Sequence, residues 1–170
     1  MRIITKKRLY NRALAYLSRY ESTTANLSAV LYRAVKRAEN EGQELSPEVP
    51  VWISEIVAEM EKLGYVNDKR YGENLQRRLL HGGKSVRLIS GKLKMAGLDD
   101  DLITEIQEET EKSADELDLE AALTLVKKKK IGFLRPEELR KDFYKKDLAV
   151  LGRAGFSFEI AKRALNGEED

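Results

Sequence analysis

Cysteine is absent from this chain, which excludes disulfide frameworks and thiolate metal sites. Histidine is nearly absent. The single His81 cannot found a histidine-based metal cluster, and it is read as a helix-end residue. Three prolines and eleven glycines leave too few turns for a many-stranded sandwich. No apolar run approaches the ~20 residues of a membrane span, and the opening MRIITKKRLYNR has no apolar core of signal-peptide length. The expectation is a soluble, cytoplasmic protein with no membrane partner.

What the sequence has in quantity is charge of both signs. Charged residues make up 35% of the 170 and hydrophobic ones 42%, with a formal net charge of only +2. That composition is unlike a disordered chain and suffices for a buried core.

Apolar periodicity is helical throughout, so the fold class is all-α, with about nine helices. Leu9, Ala13, Tyr16, Leu17 and Tyr20 share the face of a first helix over about Lys6 to Arg19. Ser22 or Thr23 caps a second helix, whose stripe is Leu27, Val30, Leu31, Ala34, Val35 and Ala38. Gly42 to Pro50 is a surface loop. A third helix places Trp52, Ile53, Ile56, Val57, Met60 and Leu63 on one face, and Gly64 closes it. Asn67 or Asp68 starts a fourth, with Tyr71, Leu75 and Leu79 inward. The fifth, from Ser85, buries Val86, Ile89 and Leu93 and stops at Gly97. The sixth, capped by Asp99, buries Leu102, Ile103 and Ile106.

Lys112 to Asp118 is a polar junction, after which a seventh helix buries Leu119, Ala122, Leu123 and Val126. Pro136 suits the first turn of an eighth helix, whose register blurs across Lys145 to Asp147 and predicts a bend. Gly155 ends it. Ser157 caps the ninth, which carries Ile160, Ala161, Ala164 and Leu165 ahead of an acidic tail of Glu168, Glu169 and Asp170.

One pattern recurs. Leu93 to Ile103 lies over Leu151 to Ala161 at a constant offset, Gly97 falling on Gly155 58 positions on: Leu, Ala-Gly, a large apolar residue, a cap, then an apolar pair. The economical organisation is three tandem three-helix repeats in an elongated, curved array, divided at 1–66, 67–114 and 115–170.

Charge is local within it. Between Glu73 and Asp99 there is no acidic residue, while Arg77, Arg78, Lys84, Arg87, Lys92 and Lys94 are cationic. Such a set can neutralise phosphates or dock on an acidic protein groove, though most charge clusters are solvated helix faces. A second set comprises Lys127, Lys128, Lys129 and Lys130, then Arg135, Lys141, Lys145, Lys146 and Arg153, diluted by Glu138, Asp142 and Asp147. Gly82-Gly83-Lys84-Ser85 is not a phosphate-binding loop: that spacing requires glycine at position 78, which is Arg, and no strand precedes it. Tyr65, Tyr71 and Phe156 could stack on bases, but their places beside glycine stops and on apolar faces favour core packing. No nucleophile, base or metal set supports an enzyme, and no cofactor is implied.

Three motifs in order, Glu61-Lys62-Leu63-Gly64-Tyr65-Val66-Asn67-Asp68-Lys69-Arg70-Tyr71, Gly83-Lys84-Ser85 and Ala154-Gly155-Phe156-Ser157, give the chain a resemblance to the RecX family of regulators, covering about Leu9 to Leu165. The resemblance implies tandem three-helix repeats. It also implies a non-catalytic partner of the RecA recombinase, one that lies in the groove of the RecA–single-stranded DNA filament and inhibits its ATPase and strand exchange, modulating recombination and the SOS response; separately, a monomer is expected. The chain departs from the family pattern in its first unit, where a lengthened second helix and the loop at Gly42 to Pro50 replace a short turn. On this basis the expected partner contacts are Arg77, Arg78, Lys84, Arg87, Lys92, Lys94, Lys127, Lys128, Lys145 and Arg153, with single- or double-stranded DNA as a further partner. The alternative is a helical module that binds DNA or RNA directly.

Overall fold

The structure is a computed structural model that describes residues 3–168; Glu169 and Asp170 of the acidic tail lie outside the described residues. Among these it is helical with no strand: α1 (Lys6–Leu17), α2 (Thr24–Asn40), α3 (Val49–Lys62), α4 (Asp68–His81), α5 (Val86–Met95), α6 (Asp100–Glu108), α7 (Ala114–Lys129), a 3-10 turn (Gly132–Leu134), α8 (Glu137–Arg153) and α9 (Phe158–Asn166). None of these helices is long and apolar enough to cross a membrane.

Several starts are set by side-chain caps, while α3 and α8 have none. Thr5, Thr23 and Ser157 accept from backbone amides one turn on, satisfying donors the helix cannot. Asn67 Oδ1 does the same for Arg70 N at 2.8 Å, so Asn67 caps α4. Ser113 and Glu116 form a reciprocal capping box that starts α7 at Ala114, inside the stretch expected as a junction.

Three other expectations shift. The loop after α2 ends at Glu48, because Val49 is buried and Pro50, lacking an N–H, fits the first turn of α3. Leu63 points outward, 54% exposed, since the buried face of α3 is Val49, Ile53, Ile56 and Met60. Pro136 is the N-cap of α8 rather than a first-turn residue.

Two compact units divide the chain: residues up to Tyr71 together with Ala96–Asp99, and Gly72–Met95 together with Asp100 onward. In the first, α1, α2 and α3 pack around Leu9, Ala13, Leu27, Leu31, Ile53, Ile56 and Met60, each at most 1% exposed. Each large side chain so buried contributes about 1.5–3 kcal/mol, which lets three short helices persist. In the second, α7 buries Leu119, Ala121, Ala122, Leu123, Leu125 and Val126, and Ala122 lies in one cluster with Ala161 and Ala164 of α9, small residues that let the two helices close on each other.

Each unit contains the same clasp. In the first, the amide and hydroxyl of Thr24 donate to the Asp68 carboxylate at 2.8 and 2.7 Å, and Thr23 Oγ1 donates to the Ala96 carbonyl at 2.5 Å. A Cβ on Gly97 (φ +92°) would lie 2.3 Å from that of Ala25. In the second, the Val86 amide donates to Asp118 at 2.7 Å and the Ser85 amide to the Ala154 carbonyl at 3.1 Å. A Cβ on Gly155 (φ +97°) would lie 2.2 Å from Ser85 Oγ. The repeated Ala-Gly is therefore a turn pressed against the N-terminus of α2 or α5, with a carboxylate over the same helix end, where the macrodipole favours it. Burial pushes the Asp118 carboxyl above its ordinary range; the Val86 amide and the charge of Arg87 oppose that shift.

Candidate partner-binding surface

All ten candidate contact residues belong to the second unit. Nine are exposed; Lys84 is half-buried, its amide donating to the Leu79 carbonyl at the end of α4. On α4 the buried positions are Gly72 and Leu75, which turns Arg77 and its i+4 neighbour His81 outward and leaves Arg78 on a different flank. On α5, Ile89 and Leu93 face inward, so Arg87, Gly91 and Lys94 fall on one outer strip, with Lys92 off it. On α8, Lys141, Lys145, Ala149 and Arg153 recur along an exposed side, and Arg153 occupies the last turn, where a cation suits the helix dipole.

The two cationic sets meet along α7. Arg77 and His81 line a cleft of about 220 Å³ with Glu120, Ala121 and Thr124. Lys127 lines a cleft of about 510 Å³ that shares Glu120 and Thr124. Glu120, the acidic residue common to both, is already ion-paired with Lys112.

Ion pairing removes little of the candidate charge. Lys94 bonds Asp100 at 2.7 Å, but both groups are exposed, where such a pair adds at most about 1 kcal/mol. Arg77 donates to Asn74 at 3.4 Å, and Lys127 also has an intramolecular partner. Arg78, Lys84, Arg87, Lys92, Lys128, Lys145 and Arg153 have no carboxylate within 4.0 Å among the described residues.

The second cationic set needs a correction. Asp147, expected to dilute it, is 2% exposed and accepts two bonds from the Arg135 guanidinium, each 2.8 Å, and one from the Gly132 amide at 3.0 Å. Both residues leave the surface ledger together. Arg135 also lies over the Phe143 ring at 4.4 Å, and Arg140 donates to the Arg135 and Phe133 carbonyls, so these cations fasten the 3-10 turn to α8. Burial pushes the Asp147 carboxyl up, but the Arg135 bond, the Gly132 amide and the Arg135 charge outweigh it and hold it below the usual range. The helix α8 is continuous from Glu137 to Arg153, and the blurred register at Lys145 to Asp147 marks this buried carboxylate. Of the aromatics, Phe156 is in the core, Tyr71 is half-buried, and Tyr65 is 55% exposed.

The molecule is an all-α protein of short helices whose candidate cations lie in its second unit, nine of the ten exposed and most without a carboxylate partner among the described residues. No family model matches the chain. It is 34% identical over 160 residues to the regulatory protein RecX of Myxococcus xanthus, covering 93% of this chain and 84% of that one. It is 30% identical over 116 residues to the regulatory protein RecX of Streptococcus uberis, covering 68% of this chain and 42% of that relative. The crystal structure of RecX from Lactobacillus salivarius superposes with a TM-score of 0.65 at 24% identity over 96% of both chains. A second crystal structure of a regulatory protein RecX gives 0.62 at 20% identity, over 94% of this chain and 72% of the other. The chain belongs to the RecX family of regulatory proteins.

Proposed function

We propose that this chain is a non-enzymatic regulator that binds the filament RecA forms on single-stranded DNA and inhibits its ATP hydrolysis and strand exchange. Homologous recombination and the SOS response are the processes so modulated. Family membership supports RecA as the partner. The observation that carries the mode of binding is the set of exposed cations with no carboxylate partner among the described residues, Arg78 on α4, Arg87 and Lys92 on α5, Lys128 on α7 and Lys145 and Arg153 on α8, which suit a partner whose DNA is a line of phosphates. We assign Arg77, Arg78, Lys84, Arg87, Lys92 and Lys94 to one set of contacts and Lys127, Lys128, Lys145 and Arg153 to the other. We also propose three tandem triplets of helices, at 1–66, 67–114 and 115–170, supported by the twofold occurrence of the clasp. The protein works in the cytoplasm, as a monomer.

The test is ATP hydrolysis by RecA on single-stranded DNA with the purified chain added. Inhibition at stoichiometric ratios is expected. Undiminished hydrolysis, together with tight and salt-sensitive binding to naked DNA, would instead make the chain a nucleic-acid-binding module acting on its own.

A further inference from the structure

The first unit carries a site that the contacts above do not use. Between α1 and α2 runs a groove of about 390 Å³, floored by Leu9, Ala34 and Ala38. Three guanidiniums line it: Arg8 and Arg12, one turn apart on α1, and Arg37 on α2. Arg8 donates to the Ile3 carbonyl at 2.8 Å; Arg12 and Arg37 have no ion-pair partner among the described residues. At the far end stand Glu41 and Gln43, and Gln43 Oε1 is a buried acceptor with no hydrogen-bond donor. Such an atom is costly to leave unpaired.

We propose that this groove docks an acidic peptide segment of a partner protein, anchored by one aliphatic side chain. Paired guanidiniums match carboxylates in a bidentate geometry that lysines do not offer. The aliphatic floor accepts a side chain of Leu, Ile or Val size. Gln43 lines the groove, and rotation of its side-chain amide toward the segment would pair the now-buried Oε1 with an N–H, which a peptide bears at every residue except proline. Two features disfavour a nucleic acid strand here. The lining has no aromatic ring on which a base could stack, and Glu41 would oppose a ligand with a negative charge at every repeat. A peptide can place a neutral residue there.

The experiment uses the full chain and a panel of short fluorescein-labelled peptides of Asp and Glu, with a Leu, Ile or Val pair at every spacing from adjacent to four apart, read by fluorescence anisotropy. At least one member is expected to bind, to shift the side-chain amide resonance of Gln43, and to lose roughly tenfold or more in affinity with Arg12→Glu and Arg37→Glu combined. Circular dichroism checks that the variant keeps its helices, which exposed surface positions allow. Failure of every member to bind, or binding indifferent to the two reversals, overturns the proposal. So does a labelled oligodeoxythymidylate that displaces the peptide with the same arginine dependence. The groove shares no residue with the second unit's cations, so its failure leaves the RecA assignment untouched.

Discussion

Asp147 shows how one residue can reverse the meaning of a stretch of sequence. As an acid among lysines it looks like dilution of a basic surface; buried beneath Arg135 it becomes the knot that holds the 3-10 turn to α8. Removing one partner of a buried pair leaves the other uncompensated, so Asp147→Ala is expected to cost about 3 kcal/mol by urea denaturation, at the lower end because Arg135 is partly exposed and reaches water. The pH dependence follows from the depressed carboxyl. Stability from Asp147 is fully present above the ordinary aspartate range, near 3.9, and is lost as pH falls through its lower folded value. In Asp147→Ala the acid limb of the stability curve should flatten accordingly. Gly91 is the opposite case. It sits mid-helix in α5 with nothing within 4 Å of where a Cβ would lie. Gly91→Ala should therefore raise stability by about 0.5–1 kcal/mol in the same denaturation measurement.

At the scale of elements, the decisive contacts are the helix starts. Gly155→Ala forces a left-handed alanine and places its methyl 2.2 Å from Ser85 Oγ, so a loss of about 3 kcal/mol is expected. Combining it with Ser85→Gly, itself worth only a few tenths at a cap, should recover the part due to collision. A double-mutant cycle by thermal denaturation measures that recovery. These starts also mark how far sequence carried. Local signals were legible: the apolar stripes of α2 and α9, the Ala-Gly turns, and Thr23 and Ser157 as caps. The capping box of Ser113 and Glu116 was equally local, yet it lay inside a polar run that masked it. Asp68 and Asp118 were not legible as caps of α2 and α5, because each acts on a helix 44 or 32 positions away. Leu63 and Tyr65 went astray for a related reason: periodicity finds a face but not where the neighbouring helix ends. The groove of Arg8, Arg12 and Arg37 needed two helices brought side by side.

For the whole molecule, the cations between Glu73 and Asp99, proposed here as contacts, lie in one compact unit, and few are consumed by neighbouring carboxylates. What a linear charge count could not supply is their division among faces, such as Arg77 turned away from Arg78, or the clefts along α7 where the two sets adjoin. The central claim is that these cations hold the RecA filament. Its most direct measurement is co-sedimentation of the Arg77→Ala, Arg78→Ala, Lys84→Ala, Arg87→Ala quadruple variant with RecA filaments on single-stranded DNA, beside the unaltered chain. The variant is expected to keep its helices, with stability changes within about 1 kcal/mol per site, and to stay in the supernatant where the unaltered chain pellets. If the folded variant pellets as fully as the parent, the cationic faces are not the contact surface.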